Sequence, residues 1–387
     1  MPAIRSGVQY SGKWTLTQQM QAIAAVTWPG LSFSEIYGWG PQNSGELGLG
    51  DTTARSSPVQ VGTLNTWDVT YTGFEYSLAI INGGELYAWG SNGGGQLGLG
   101  DTTNRYSPVQ VGSLTNWSQI AAGGYHSLAV KIDGTLWAWG ANNDTQLGLG
   151  DTTNRSSPVQ VGALTNWSQI SAGLQHSVAI KTDGTLWAWG ANNLGQLGLG
   201  NTTGRNSPVQ VGALTNWLNV SASYSFSIAT KTDGTLWTWG YNGNGQLGQG
   251  NTTHRSSPVQ VGALTTWANA GTGQYHTLST KTDGTLWTWG YNNTGQLGDG
   301  TTTQRNSPVQ VGALTTWLNV AGGFYHSLGT TTDGKLYAWG YNGRGQLGLG
   351  DTTSRSSPVQ VGALTTWGTL PKMAVSNFSV VLSTITT

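Results

Sequence analysis

Histidine is the residue type in this sequence best suited to bind a metal or transfer a proton near neutral pH. Four of the five histidines recur at one position, separated by multiples of 50 residues: His126, His176, His276 and His326. The remaining copies of that position hold Tyr76, Phe226 and Phe378, and phenylalanine can do neither chemistry. We therefore expect structural histidines beside a central channel and predict no metal site. A ring of imidazoles around a metal ion is the alternative hypothesis.

A second candidate is the acidic loop Gly-Leu-Gly-Asp-Thr-Thr. Its acidic residue is Asp51, Asp101, Asp151 and Asp351 in four copies, but Asn201, Asn251 and Thr301 in the others. Calcium requires more acidic oxygens than this, so we expect the side chain to cap the loop as an Asx-turn. An arginine follows in every copy: Arg55, Arg105, Arg155, Arg205, Arg255, Arg305 and Arg355. Its constancy predicts a structural donor to loop carbonyls or a stacking partner for tryptophan.

The glycine-rich stretch at 45–50 and its copies superficially resembles a phosphate-binding loop. Such a loop joins a strand to a helix, whereas here a threonine-rich loop follows. The spacing yields neither a Ser/His/Asp arrangement nor a close carboxylate pair. The sequence therefore predicts no catalytic residue, no enzyme activity and no cofactor.

Charge is scarce, at 8% of residues with a net charge of +0. Binding to nucleic acid or to an anionic membrane requires clustered lysine and arginine, so we expect neither. No apolar run approaches the length of a transmembrane helix, and membrane insertion is not predicted. The absence of cysteine excludes disulfides and thiolate metal sites.

Positions that differ between copies are the better candidates for function. The most informative ones precede the histidine position, at the start of a predicted strand, so they should all reach one face of the molecule. Aromatic faces among uncharged hydrogen-bonding groups suit a sugar or protein surface. The predicted ligand-binding residues are Phe74, Tyr125, Gln175, Tyr224, Tyr275, Phe324 and Tyr325. Neutral drift in exposed loops is an equally good explanation of their variation.

These residues are positioned by a repeat whose marker is Trp-Gly. The pair recurs at Trp39, Trp89, Trp139, Trp189, Trp239, Trp289 and Trp339 without insertion. Within the unit 141–190, four short strands are predicted at Pro158–Val161, Trp167–Ile170, His176–Ile180 and Thr185–Trp189. Four antiparallel strands per unit are typical of a propeller blade, which must stack on its neighbours to bury its apolar face.

The two ends predict how the ring closes. Glu35–Gly40 matches the last strand of a unit, whereas Trp367 and Asn377–Leu382 match the second and third strands. Residues 31–387 therefore form an all-β, seven-bladed β-propeller of four-stranded blades, with six whole repeats and one blade split between the ends. Residues 1–30 form a separate arm, which either attaches to another protein or packs as a plug on the propeller face. The spacing of Leu16, Met20 and Ile23 predicts a short helix in it.

The repeated phrase His-Ser-Leu-Ala, Asp-Gly-Thr-Leu-Trp-Ala-Trp-Gly and Gly-Gln-Leu-Gly-Leu-Gly resembles the regulator of chromosome condensation repeat. The resemblance covers residues 31–387 and implies a seven-bladed propeller. The founding member of that family is a nucleotide exchange factor for the small GTPase Ran. The present copies carry neither an insertion that could act as a wedge nor a basic extension, so no exchange-factor residue is transferred. The alternative function is nevertheless an intracellular, cytoplasmic regulator that resembles a small-GTPase exchange factor and binds a GTPase or another protein through one face.

The arm carries a second resemblance. Gly12-Lys13-Trp14-Thr15-Leu16, Gln21-Ala22 and Trp28-Pro29 are similar to a short segment of structural proteins from marine tailed phages. With the low charge, this resemblance predicts a non-enzymatic virion component, such as a tail fibre, adhesin or decoration protein. Residues 1–30 would bind other virion proteins, and the propeller would bind a host-surface glycan or protein. The expected location is the virion or the extracellular space.

Overall fold

The computed structural model describes residues 32–368, 370–371 and 375–386, and these residues form a ring of seven antiparallel sheets. The predicted propeller is therefore confirmed. The helix predicted in the arm 1–30 lies outside the described residues. Along the part of the chain that is described, no helix is long and apolar enough to cross a membrane.

Six blades contain four strands each, in chain order. Blade 1 consists of β3 (Trp67–Thr72), β4 (Tyr76–Ile81), β5 (Leu86–Gly90) and β6 (Arg105–Gln110). Blade 2 consists of β7 (Trp117–Ala122), β8 (His126–Lys131), β9 (Leu136–Gly140) and β10 (Arg155–Gln160). Blade 3 consists of β11 (Trp167–Ala172), β12 (His176–Lys181), β13 (Leu186–Gly190) and β14 (Arg205–Gln210).

The other three complete blades follow the same pattern. Blade 4 consists of β15 (Trp217–Ala222), β16 (Phe226–Lys231), β17 (Leu236–Gly240) and β18 (Arg255–Gln260). Blade 5 consists of β19 (Trp267–Thr272), β20 (His276–Lys281), β21 (Leu286–Gly290) and β22 (Arg305–Gln310). Blade 6 consists of β23 (Trp317–Gly322), β24 (His326–Thr331), β25 (Leu336–Gly340) and β26 (Arg355–Gln360).

The seventh, closing blade joins the two ends of the chain, as predicted. Strand β1 (Ser32–Gly40) pairs with β27 (Ser379–Thr386) on one side and with β2 (Arg55–Gln60) on the other. Trp367 adds a short bridge to Ser383 of β27, in the place of an innermost strand. Closure removes the open sheet edge that a linear array would expose.

The phase of the repeat differs from the prediction. The Pro-Val-Gln strand of unit 141–190 is β10, which pairs with β9 of the preceding unit rather than with β11. Each blade therefore begins at the Trp-x-x strand and ends at the Arg-Ser-Ser-Pro-Val-Gln strand. The Trp-x-x strands of neighbouring blades contact each other around the axis, so they are the innermost strands. A period fixes the length of a unit but not where the blade starts.

Contacts between blades explain the Trp-Gly marker. The fully buried Trp139 of blade 2 donates its indole N–H to the carbonyl oxygen of Gln96 in blade 1, at 2.9 Å. The same bond recurs at every seam, so each tryptophan fixes the preceding blade while burying about 200 Å² of aromatic surface. The glycine is required because Gly90 has φ +102°, and a Cβ there would lie 2.5 Å from the carbonyl oxygen of Glu75.

Candidate functional site

Six loops surround the axis at the end of the ring where the innermost strands meet the second strands. They comprise residues 73–75, 123–125, 173–175, 223–225, 273–275 and 323–325, and we call this surface the mouth. The amide of Gly124 donates to the carbonyl oxygen of Gly173 at 3.0 Å, and Phe324 donates to Ser376 at 2.7 Å. Equivalent bonds start at Phe74, Leu174 and Gln274. The loops therefore hold one another, and their side chains project from a fixed frame.

Six of the seven predicted binding residues come together in the mouth as a continuous chain of aromatic rings. Phe74 of blade 1 stacks on Phe324 of blade 6, with centroids 5.6 Å apart, across the intervening closing blade. Phe74 also contacts Tyr125 at 5.4 Å, and Phe324 contacts Tyr325 at 6.3 Å. On the far side, Tyr224 and Tyr275 are 5.6 Å apart.

Two further tyrosines link these groups, and the sequence analysis did not include them. Tyr291 lies 6.0 Å from Tyr325 and 6.3 Å from Tyr275, and Tyr241 lies 5.9 Å from Tyr275. Both directly follow a Trp-Gly pair, where the other copies have Pro, Ser, Ala or Tyr. The variation at that position was the signal that could have identified them.

The phenol groups of the mouth lie close enough to influence one another's ionisation. Burial raises the pKa of Tyr275 to about 12, and the neighbouring Tyr224, Tyr325 and Tyr241 contribute to the shift. Burial also raises the pKa of Tyr125 and of Tyr325, and Tyr224 contributes to both shifts. Tyr224 of blade 4 is thus an electrostatic neighbour of tyrosines on blades 2, 5 and 6. The Tyr125, Tyr275 and Tyr325 phenols are therefore neutral at physiological pH. None of these three hydroxyl groups, nor that of Tyr224, forms a hydrogen bond with the described residues.

One carboxylate accompanies the aromatic rings. Glu75 adjoins Tyr125, whose pKa it helps to raise, and it accepts a 3.3 Å hydrogen bond from the Ser44 hydroxyl. Its backbone has φ 59°, and among the described non-glycine residues only Thr145 shares this left-handed conformation. Strain of this kind concentrates at functional sites. Beneath it, burial raises the pKa of Glu46, which occupies a position held by glutamine in the other copies.

Gln175 is the predicted binding residue that the mouth does not include in its aromatic chain. Its side-chain amide donates to Asp144 at 2.7 Å, and the residue is exposed. Blade 3 contributes Leu174 and Gln175 to the mouth, so its part of the mouth carries no aromatic ring.

Below the mouth, Tyr71 blocks the channel. It lines a cavity of about 130 Å³ together with Gln169, Asn219 and Asn269, which are innermost-strand residues of blades 3, 4 and 5. A side chain from blade 1 that meets these three blades must extend across the axis. The residues in the same register in blades 2–6 are small: Ala121, Ser171, Ser221, Gly271 and Ala321. The mouth is therefore a shallow bowl with a floor.

The repeated histidines are structural, and they lie between blades rather than along the channel. His126 is fully buried, and its Nε2 is 2.9 Å from the Ser177 hydroxyl of blade 3. Ser177 donates its single hydrogen to the carbonyl oxygen of Gln146, at 2.8 Å, so the imidazole must be the donor. Burial lowers the pKa of His126 and His176 to about 3, which keeps the rings neutral. We call these repeated contacts the histidine seam.

The acidic loops also prove to be scaffold. Asp51 accepts the Thr53 amide as an Asx-turn at 2.8 Å, as predicted. Arg55 donates to the Thr53 carbonyl oxygen, as the loop-donor hypothesis predicted, and also pairs with Asp51 at 2.6 Å. Where Thr301 replaces the aspartate, Arg305 pairs instead with Asp299, at 2.9 Å. Within the described ranges, no group of three or more His, Asp or Glu residues could hold a metal ion.

Comparison with known proteins accounts for the ring. The profile of the RCC1-like domain matches residues 21–273, and that of the regulator of chromosome condensation (RCC1) repeat matches 283–329 and 333–372. No curated protein sequence matches the chain significantly. Among solved structures, human WBSCR16 is 20% identical with a TM-score of 0.79, covering 91% of this chain and 99% of its own.

Yeast RCC1 (Prp20), solved bound to Kap60, is 19% identical with a TM-score of 0.81, covering 98% of this chain and 95% of its own. A second structure, Prp20p from Saccharomyces cerevisiae, is described with its binding properties to Gsp1p and histones. It is 20% identical with a TM-score of 0.79, and the match covers 92% of each chain. These identities are low and carry the fold alone. Because the profile of the RCC1-like domain matches more than half of this chain, the chain belongs to the RCC1-like domain family.

Proposed function

We propose that this propeller is a non-enzymatic protein-binding module and that its partner docks on the mouth. The observation that carries the proposal is the chain of partly exposed tyrosines and phenylalanines over a channel closed by Tyr71. Tyrosine is enriched at binding hot spots because it supplies a large apolar face and a polar tip at low entropic cost. The loop-to-loop hydrogen bonds hold these rings in place before binding, which lowers the cost of association.

The related propellers support a protein as the partner. The yeast propeller was solved bound to Kap60, and it has binding properties toward Gsp1p and histones. The proposal takes from them only the use of a propeller as a protein-binding platform. It assigns no nucleotide-exchange activity, because the loops of the present repeats contain no insertion from 41 to 367.

The virion hypothesis remains a prediction. Its main support is the resemblance within residues 1–30, which lie outside the described residues. A host-surface glycan is the alternative ligand of the aromatic mouth, since sugar rings stack on tyrosine faces. The location of the protein depends on which hypothesis holds: the virion or the extracellular space for the virion component, and the cytoplasm for the intracellular regulator.

The test compares two triple variants as baits in extracts of the cells that naturally produce the protein. Tyr224→Ala, Tyr275→Ala and Tyr325→Ala remove the centre of the mouth. Leu164→Ser, Leu214→Ser and Leu264→Ser alter the opposite end of the ring, where these leucines are nearly half exposed. Quantitative mass spectrometry should show proteins captured by the wild type and the leucine variant but lost with the tyrosine variant.

Identical protein capture by both variants would contradict the proposal. A glycan array probed with the same three proteins separates the alternative ligand. If only glycans bind, and only when the tyrosines are present, the mouth is a carbohydrate site instead. Circular dichroism of both variants confirms that each retains the sheet structure.

A further inference from the structure

The chain contains two sets of aromatic rings, and only one set has its own cations. Lys131, Lys181, Lys231 and Lys281 place their ammonium groups 3.6–3.7 Å from the ring centroids of Trp137, Trp187, Trp237 and Trp287. These tryptophans lie at the opposite ends of the strands from the mouth. Among the described residues, no lysine or arginine lies over any ring of the mouth.

The charge of the mouth is negative where it touches the aromatic chain. Glu75 adjoins Tyr125, and Asp144 lies on the neighbouring rim, held by Gln175. Among the described residues of the loops that follow the Trp-Gly pairs (41–54 and its copies), Arg344 is the one arginine or lysine, and it is exposed. Arg205, which begins β14, lines the same pocket as Asp144, so the negative charge beside the rings is that of Glu75. The π faces add to this negative potential, since a tyrosine ring presents electron density above its plane.

From these observations we propose that the mouth receives a cationic side chain of the partner, and that arginine fits it best. A guanidinium group can stack on the tyrosine faces while it donates two hydrogen bonds to the Glu75 carboxylate. The tyrosine hydroxyls, which lack partners among the described residues, can accept its remaining N–H groups. Tyr71 limits the depth, so a single long side chain fills the bowl.

This inference rests on the proposed function, because it specifies which group of the partner enters the mouth. It also explains why Glu75 retains a strained backbone. Among the described residues, Glu75 carries the one carboxylate that adjoins the rings and has the left-handed conformation. The residues at the same position in the other blades are unstrained: Tyr125, Gln175, Ser225, Tyr275 and Tyr325.

The probes are three pentapeptides, Gly-Gly-X-Gly-Gly, where X is arginine, citrulline or glutamate. Citrulline matches arginine in shape but lacks the charge. Ligand-observed NMR titration with the full chain should detect the arginine peptide at millimolar affinity, about tenfold tighter than the citrulline peptide. The glutamate peptide should not bind.

Two variants, each of which removes one negative charge, show where on the propeller the arginine peptide binds. Glu75→Gln should weaken binding of the arginine peptide about fivefold and leave the citrulline peptide unaffected. Asp68→Asn, on the same blade but at the opposite end of its innermost strand, should change neither. Both variants are checked by circular dichroism for retained fold.

Equal binding of arginine and citrulline, equal effects of the two variants, or no binding of any peptide up to about 20 mM would each overturn the inference. The proposed function fails separately. If protein capture still depends on the mouth tyrosines while the arginine preference is absent, the mouth binds a protein through another group. If capture is also independent of the tyrosines, both proposals fail.

Discussion

The histidine seam makes the stability of the ring depend on pH in a way that one substitution can isolate. His176 is fully buried and donates from Nε2 to the Ser227 hydroxyl, 2.9 Å away. Phe226 occupies the same position in the next blade and is equally buried, so His176→Phe places in blade 3 a side chain that the fold already accepts. At pH 7.5 we expect it to cost about 1 kcal/mol, the value of one neutral hydrogen bond.

At acid pH the wild type loses more stability than His176→Phe, which is the opposite of the order of losses at pH 7.5. In the unfolded chain His176 takes up a proton below its ordinary pKa of 6.5, whereas burial lowers its pKa in the folded protein to about 3. Unfolding therefore binds protons between these values. The contribution to stability is fully present above pH 6.5 and is lost progressively as the pH falls toward 3. At pH 5.0 the loss from this one histidine amounts to about 2 kcal/mol.

The measurement is the free energy of unfolding in urea at pH 7.5 and pH 5.0, followed by tryptophan fluorescence and far-UV circular dichroism together. Between the two pH values, His176→Phe should lose about 2 kcal/mol less than the wild type. Phe226→His is the reciprocal variant. Its new imidazole faces Thr277, whose hydroxyl donates to the Gln246 carbonyl at 2.8 Å and can still accept, so about 2 kcal/mol of additional pH dependence is expected.

Equal pH dependence of the wild type and His176→Phe would refute the reasoning, because it would mean that the folded protein protonates this histidine near its ordinary pKa. Proton NMR gives the same answer directly. The imidazole Cε1–H resonance of His176 should not shift between pH 8 and pH 4, and a midpoint near pH 6.5 would contradict the buried neutral tautomer.

Three further predictions, made with four substitutions, concern the scaffold, and each is measured as a change in unfolding free energy. Gly184→Ala should cost about 3 kcal/mol, because Gly184 has φ +76° and a Cβ would lie 2.1 Å from the Thr215 carbonyl oxygen. Gly162→Ala, at φ +61° with no atom within 4 Å, should cost only about 1 kcal/mol, and equal costs would refute the role of the clash. Lys181→Met should cost about 1 kcal/mol by removing the cation over Trp187, and no loss would show that desolvation of the ammonium cancels the contact. Tyr71→Ser should cost about 2 kcal/mol through the enlarged channel cavity, and a neutral result would place the ring outside the packed core.

The repeat period predicted most of the architecture, because identical copies must adopt one structure. Closure of the ring by the strand at Glu35–Gly40 followed from matching the two ends to the unit. The period did not predict at which strand each blade begins. The Pro-Val-Gln strand lies between two strands that could both accept it, and only the hydrogen bonds of β10 with β9 decide the partner.

For the mouth, comparison of the copies located the variable loop positions and their common face, but not their contacts. Phe74 and Phe324 meet across the closing blade, and such a contact depends on the diameter of the ring rather than on any local pattern. The left-handed backbone of Glu75 likewise cannot be predicted from the sequence, because the neighbouring residues in the loop carry no signal for it. Tyr71 could have been noticed as the one large side chain among small ones, but its reach across the axis needed the structure.

The residues in which blade 1 differs most from the other copies lie in one continuous segment, and exchanging that segment tests whether they act together. Residues 71–76, Tyr-Thr-Gly-Phe-Glu-Tyr, supply the channel block, one half of the aromatic stack and the strained carboxylate. The corresponding blade 3 segment is 171–176, Ser-Ala-Gly-Leu-Gln-His, of equal length and the same strand register. Its histidine would face Ser127, which already donates to the Gln96 carbonyl at 2.7 Å and so can accept in a fifth seam contact.

Replacing 71–76 with the blade 3 segment should therefore leave a folded ring that unfolds cooperatively, with the channel open and the arginine preference of the mouth removed. Thermal unfolding and the pentapeptide titration measure the two effects on one protein. Retained arginine preference in a folded graft would show that blade 1 does not form the cationic site. Loss of the fold would show instead that Tyr71 and Phe74 are structural, because the seam position itself accepts histidine in four other blades.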